Sequence, residues 1–230
     1  MSARERISFD HHVPSEATVL LKNLRPSILD WLESHLTAGR RAHSVRVGQM
    51  ARELGERFGV DPDRCEIAGL LHDVAREWSP ERLATHAQML GLEWGYLEQM
   101  APMPCLHGPV GAALAGDCFD LRGEPDVLSA IARHTVGAEA MTPLEQIVFL
   151  ADAMEPGRGE APYLRELRAA AEKSLAYACR RAYDHTFEYL LKTEQPIHPD
   201  AVKGRNWLLY QERSQRTSSD GTSQNECGET

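Results

Sequence analysis

No apolar run in the chain is long enough to cross a bilayer. The opening residues, MSARERISFDHHVPSEA, lack the apolar core of a secretory signal. Both absences point to a cytoplasmic protein with no membrane contact. Cysteine is sparse and scattered: Cys65, Cys105, Cys118, Cys179 and Cys227 form no C-x-x-C pair. A zinc ribbon and a disulfide frame are thereby excluded, and reduced, mostly buried thiols are expected. One of them could still be a lone nucleophile. Basic charge is also short, with a net charge of -9, which argues against a non-specific nucleic-acid coat. No alternating apolar/polar run, hairpin signal or repeat is visible.

What is present is helical periodicity. Hydrophobic residues make up 42% of the chain and charged ones 26%, the balance of an ordinary globular domain. Ile28, Leu29, Trp31, Leu32 and Leu36 predict a helix from Ser27 towards Gly39. His43, Val47, Met50, Ala51, Leu54 and Phe58 share one helix face, which Gly59 closes. Asp61-Pro62 and Ser79-Pro80 read as N-caps with proline at the first helical position. Ala68, Leu71, His72 and Ala75 form a stripe on the helix between them. WGYLEQMAPMPCLHGP reads as irregular, with His107 in a loop before a short helix, VGAALAGDCF. Glu124-Pro125 opens a helix ending at His134. Thr142-Pro143-Leu144-Glu145 is a capping box for a helix carrying Asp152. One long helix is expected from Tyr163 to Lys192, and another after Pro199. The expected fold is all-α: one domain over 27–210, between a flexible arm at 1–26 and a disordered tail at 211–230.

AGLLHDVAREW poses the chemical question, because His72 and Asp73 follow an apolar run. A buried carboxylate needs a partner. Asp73 could pair with Arg76, and Asp152, on the stripe of Val148 and Ala151, could take a backbone amide. Singly, His43, His107 and His134 are as ordinary as any core histidine. Together they form an ordered set, H…HD…H…H…D, each at a core-facing or helix-end position. Imidazole and carboxylate suit iron, manganese or zinc. The expected arrangement has His43, His72, Asp73 and Asp152 on one metal and Asp73, His107 and His134 on a second. Two metals about 3.5–4 Å apart can activate water and clamp a phosphoryl group.

H…HD…D resembles the signature of HD-domain metal-dependent phosphohydrolases. The stretches RRAHSVRVGQMA, AGLLHDVAR, LHGPVGA, AIARHTVG, LADAMEPGR and IHP resemble the YqeK-type group, the symmetrical dinucleoside-tetraphosphate hydrolases, over roughly 27–209. The resemblance implies an HD-domain helical bundle with a dinuclear centre, iron foremost and manganese next, held by His43, His72, Asp73, His107, His134 and Asp152. It implies cleavage of diadenosine tetraphosphate into two ADP. Asp73 and Arg76 are expected to be catalytic, Asp73 managing the proton and Arg76 neutralising phosphate charge, and position 76 departs from the group, which commonly has lysine there. An acidic protein needs a local basic pocket for four phosphates. Arg40, Arg76 and Arg158 lie close in sequence to the expected ligands and suit bidentate phosphate contacts. Arg40 is the weakest of the three, and Arg168 weaker still. Thr135 either orients a phosphate or caps its helix. His11-His12, His86 and His185 read as surface, and His198 as structural. Trp94 and Tyr96 either stack on a base or pack in the core. Another nucleotide substrate, or a non-catalytic metal-dependent dinucleotide-binding protein, are the alternatives. No nucleic acid is expected as a stable partner, and a homodimer stays open.

Overall fold

The structure is a computed structural model and describes residues 16–92 and 95–222. Among these there is no strand, so the all-α expectation holds. The helices are α1 (Glu16–His35), α2 (Ala38–Phe58), α3 (Pro62–Leu71), α4 (Pro80–Met89), α5 (Tyr96–Met100), α6 (Pro102–Cys118), α7 (Pro125–Arg133), α8 (Pro143–Met154), α9 (Pro162–Ala171), α10 (Leu175–Lys192) and α11 (Pro199–Thr222). None is long and apolar enough to cross a membrane.

The punctuation read from sequence sets most of these ends. Gly59 closes α2 in the left-handed region at φ 70°, a conformation that glycine adopts at no steric cost. The Asp61 and Ser79 side chains accept the first amides of α3 and α4. At α8 the box is reciprocal: Thr142 Oγ1 accepts from Glu145 N at 3.3 Å, and Glu145 Oε2 accepts from Thr142 N at 2.7 Å.

Five expectations about local structure are corrected. The chain is helical from Glu16, not Ser27, with Pro26 inside α1. The earlier start is anchored by buried Leu21 and by Arg25 Nε, 2.7 Å from Glu66 Oε1. α3 stops at Leu71, so His72 and Asp73 lie in the turns that follow it. His107 is inside α6, because Pro102 stands in its first turn, where a missing N–H costs nothing. The expected Tyr163–Lys192 helix is two helices, since Ser174 adopts an extended backbone and caps α10 by accepting Tyr177 N at 3.2 Å. Finally, α11 continues past Gln211 to Thr222. Glu212 Oε1 meets Arg180 Nε of α10 at 2.7 Å, a tertiary tie that sequence polarity does not reveal. Residues 1–15 and 223–230, with His11, His12, Cys227 and Trp94, lie outside the described residues. Tyr96 is exposed, which excludes the core reading for it.

Val47, Ala51, Leu70, Leu71, Ile131, Ile147, Val148 and Leu150 are fully or almost fully buried where α2, α3, α7 and α8 meet. Burial of each larger side chain contributes about 1.5–3 kcal/mol before the entropy of ordering is subtracted. A smaller cluster, Ala75, Leu83, Ala87, Leu106 and Val110, holds α4 against α6.

Two glycines let helices approach backbone to backbone. A Cβ on Gly69 of α3 would lie 2.9 Å from Gly48 Cα of α2, and one on Gly108 of α6 would lie 2.5 Å from the Ala132 carbonyl oxygen of α7. These contacts set where the histidines end up. His43 of α2 and His72 after α3 are brought together at the first crossing, and His107 of α6 and His134 after α7 at the second.

Candidate metal centre

His72, Asp73, His107 and His134 are almost completely buried, and His43 is 8% exposed. The tight i to i+3 turns after α3, such as Arg76 N to Asp73 O at 2.9 Å, hold His72 and Asp73 so that both side chains converge. Asp73 is at the centre. Its Oδ2 is 3.3 Å from His72 Nε2 and 3.7 Å from His43 Nε2. Its Oδ1 is 3.3 Å from His107 Nε2 and 3.6 Å from His134 Nε2. Asp152 Oδ1 adds a second carboxylate oxygen to the Oδ2 side, 3.1 Å from His43 Nε2 and 3.9 Å from His72 Nε2.

The outer ring nitrogens decide what the inner ones carry. Nδ1 of His72, His107 and His134 meets the carbonyl oxygens of Gly69 (2.7 Å), Met103 (2.5 Å) and Ile131 (2.8 Å). His43 Nδ1 meets the Glu155 carboxylate at 3.1 Å. Carbonyls and carboxylates only accept, so every Nδ1 donates. Each Nε2 faces the interior, with a lone pair when its ring is neutral and a proton when the ring is charged. Yet His43 Nε2 is 3.3 Å from His72 Nε2, and His107 Nε2 is 3.0 Å from His134 Nε2. Lone pairs facing each other and two carboxylates repel unless a cation or added protons lie between them. Imidazoles with outward N–H bonds, set among inward carboxylates, are a donor set that can hold a metal. The donors fall into overlapping groups, including His43–His72–Asp73 and Asp73–His107–His134, each set within 4.8 Å.

The carboxylates are held ionised. Burial acts to raise the pKa of Asp73, but the facing His72, His107 and His134 outweigh it and hold the group well below the usual carboxylate range. Asp152 is likewise lowered, its burial outweighed by His43, His72, His134 and Arg158. By contrast, burial pushes the Cys65 thiol up to about 12, and Cys179 is raised well above its ordinary value. Neither supplies a thiolate at neutral pH, so the lone-nucleophile reading fails for both.

The arginines do not follow the order expected from sequence. Arg40, ranked last of the three, places Nη1 2.6 Å from Asp73 Oδ2. Arg158 bonds Asp152 through its carboxylate, and its Nε reaches the Asp152 carbonyl at 2.9 Å. The Arg76 side chain forms no ion pair with the cluster among the described residues, so Asp73 pairs with Arg40 and not with Arg76. Arg168 donates to the Met154 and Glu155 carbonyls at 3.1 and 3.3 Å, which ties α9 to the end of α8. The Thr135 hydroxyl is 3.1 Å from His107 Nε2. His198 Nδ1 accepts from Asp200 N at 3.1 Å and caps α11, as its structural reading requires.

Glu155 was missed. It is 2% exposed and joins His43 to Arg46, whose Nε is 2.5 Å from Glu155 Oε2. The signal was in LADAMEPGR, where Glu155 lies one helical turn after Asp152.

With this geometry in place, the comparisons agree. The HD domain profile matches residues 40–157, and the chain belongs to the HD-domain family. Within that family it groups with proteins named symmetrical bis(5'-nucleosyl)-tetraphosphatase. The one from Bacillus subtilis (strain 168) is 36% identical over 80% of this chain and 97% of its own length. The one from Halalkalibacterium halodurans is 32% identical over 82% and 99%. The crystal structure of a predicted HD superfamily hydrolase involved in NAD metabolism, from Clostridium acetobutylicum, superposes with a TM-score of 0.77 at 32% identity. It covers 81% of this chain and 97% of that one.

Proposed function

We propose that the protein cleaves diadenosine tetraphosphate symmetrically into two ADP. The observation that carries this is the convergence of four imidazole Nε2 atoms on the two oxygens of one carboxylate, Asp73. The names of relatives that match most of the chain supply the substrate class. His43, His72, Asp73 and Asp152 would hold one cation, and Asp73, His107 and His134 the other. Iron is the first choice and manganese the second, in a cytoplasmic protein. Divalent cations so held supply Lewis acidity toward a phosphoryl oxygen and acidify water.

The remaining steps fall to the chain's own residues. Arg40 and Arg158 flank the cluster from opposite carboxylates, where they can also take non-bridging phosphate oxygens and offset their growing charge. Thr135 can donate to a phosphate oxygen at the His107 end. Arg76 keeps a place in the reading only if substrate draws its side chain inward. A water oxygen bonds to one inner phosphorus, and the bond from that phosphorus to the central bridging oxygen breaks. The second ADP leaves with that oxygen, and the water's protons pass to solvent. ADP is a weak enough base to leave without a dedicated acid.

The test is protein purified without oxygen, its metals counted, then incubated with diadenosine tetraphosphate. Two metals per chain and ADP as sole product are expected. ATP plus AMP would overturn the symmetrical cut, and bound metal without turnover would favour a binding protein.

Glu155 is a positioning residue in this reading. Glu155→Gln keeps the shape but removes the charge that orients His43 and Arg46. Metal affinity is expected to fall about 10- to 100-fold, as when the hydrogen-bond partner of a ligating histidine is removed. Metal titration followed by activity checks it. Unchanged affinity would mean that His43 is held by packing alone.

A further inference from the structure

Two cavities open onto the cluster. The larger, about 830 Å3, begins at His134, Thr135, Asp152 and Arg158 and runs out between α8, α9 and α10. A second, about 420 Å3, opens at the His43 end and is lined by Thr37, Arg40, Glu77 and Arg158. Arg158 lines both. A substrate cut in its middle must place one half on each side of the reacting phosphorus, and the cavities lie where those halves would extend.

The two cavities differ in chemistry. Among the described residues, the only ring in the smaller one's lining is His43, which belongs to the cluster. The larger is lined by Tyr163, Tyr177 and Tyr189, three of the five tyrosines whose side chains are exposed. Tyr163 of α9 stacks on His185 of α10, centroids 3.7 Å apart and planes within 15°. Tyr163 is 38% exposed, unlike the core residue Tyr183 at 1%. A ring pair left open on a groove wall offers a flat apolar face to a planar ligand. Charge in the outer groove is mixed, Lys173 and Arg181 against Glu166 and Glu188. That balance suits an uncharged base and ribose better than a run of phosphates. The basic residues nearest the cluster are Arg40 and Arg158, which suit the phosphates.

We propose that the groove between α9 and α10 seats one nucleoside of the substrate, with the base stacked on the Tyr163–His185 pair. The other half of the substrate is held in the smaller cavity, chiefly through its phosphates. Base stacking is tolerant of base identity, so adenine and guanine would be accepted alike on this arm. The inference rests on the dinucleotide reading above but is separable from it.

The test compares wild type, Tyr163→Ala, Tyr163→Phe and the double variant Tyr163→Ala/His185→Ala. Binding of diadenosine tetraphosphate and of inorganic tetraphosphate is measured by calorimetry, and turnover is followed in parallel. Tyr163→Ala is expected to weaken dinucleotide binding about tenfold, the range for losing one base–aromatic stack. KM should rise with kcat nearly unchanged, and Tyr163→Phe should restore wild-type behaviour. Inorganic tetraphosphate, which has no base, should bind all four proteins equally. Unchanged dinucleotide affinity, or an equal loss for inorganic tetraphosphate, would overturn the arm. Wild type that binds the dinucleotide in a Tyr163-dependent way but never cleaves it would overturn the hydrolase reading and keep the arm.

Discussion

Asp73→Ala is expected to abolish turnover, to empty the His107–His134 half of the centre and to weaken the other half. The carboxylate is shared: Oδ2 faces His43 and His72, and Oδ1 faces His107 and His134. Removing it leaves the second half with only two imidazoles, too few donors for a tightly bound divalent ion. The first half keeps His43, His72 and Asp152 but loses its central oxygen. Loss of metal-supplied Lewis acidity corresponds to several kcal/mol of transition-state stabilisation, so a fall of about a thousandfold or more in kcat is expected. Elemental analysis should show no more than one metal per chain in the same sample. Asp73→Asn is the sharper variant, because it keeps the volume and one acceptor oxygen. If Asp73→Asn holds one metal and turns over near the wild-type rate, the chemistry belongs to one half alone and the bridging assignment is wrong.

Gly69→Ala tests the scaffold beneath that carboxylate. The added Cβ would lie 2.9 Å from Gly48 Cα, 3.0 Å from Val47 O and 3.1 Å from Gly48 N. All three are backbone atoms of α2, so no side chain can swing aside. Overpacking of this kind costs about 3 kcal/mol at the upper end of its usual range. The helix propensity gained by alanine over glycine returns about 1 kcal/mol. The clash wins, and a net loss of about 2 kcal/mol should lower the melting temperature by about 4–8 °C for a chain of this size. Forcing α2 from α3 also parts His43 from His72, whose outer nitrogen is anchored on the Gly69 carbonyl. Metal content should therefore fall with stability. Gly39→Ala is the control, since a Cβ there meets nothing within 4 Å. If Gly69→Ala melts like Gly39→Ala, the close approach of α2 and α3 is not what holds the two histidines together.

Much of the molecule was legible because its signals are local. The caps at Asp61, Ser79 and Thr142, the glycine stop at Gly59 and the stripe from His43 to Leu54 each depend on residues within a turn or two. The six clustered histidines and aspartates were legible for a related reason. A histidine or aspartate on an apolar stripe carries a desolvation cost that demands a partner, and six such residues can supply one another. The elements misread were those fixed by distant contacts. The first helix was read as starting at Ser27, but buried Leu21 and the Arg25–Glu66 pair carry α1 back through Pro26. The polar stretch after Gln211 looked structureless, but Glu212 pairs with Arg180. His185 looked like surface until α9 placed Tyr163 against it.

By itself, then, the sequence determined the helical class, most helix ends and the six histidines and aspartates that cluster, because turn chemistry and burial cost act on near neighbours and on single side chains. Only the tertiary structure decided which oxygen of Asp73 faces which histidines, that Arg40 and not Arg76 reaches that carboxylate, and that Glu155 backs His43. It also decided that an aromatic groove runs out from the cluster. Each of these is a distance between residues far apart in the chain, set by how closely helices cross at Gly69 and Gly108, and a linear pattern carries no measure of that distance.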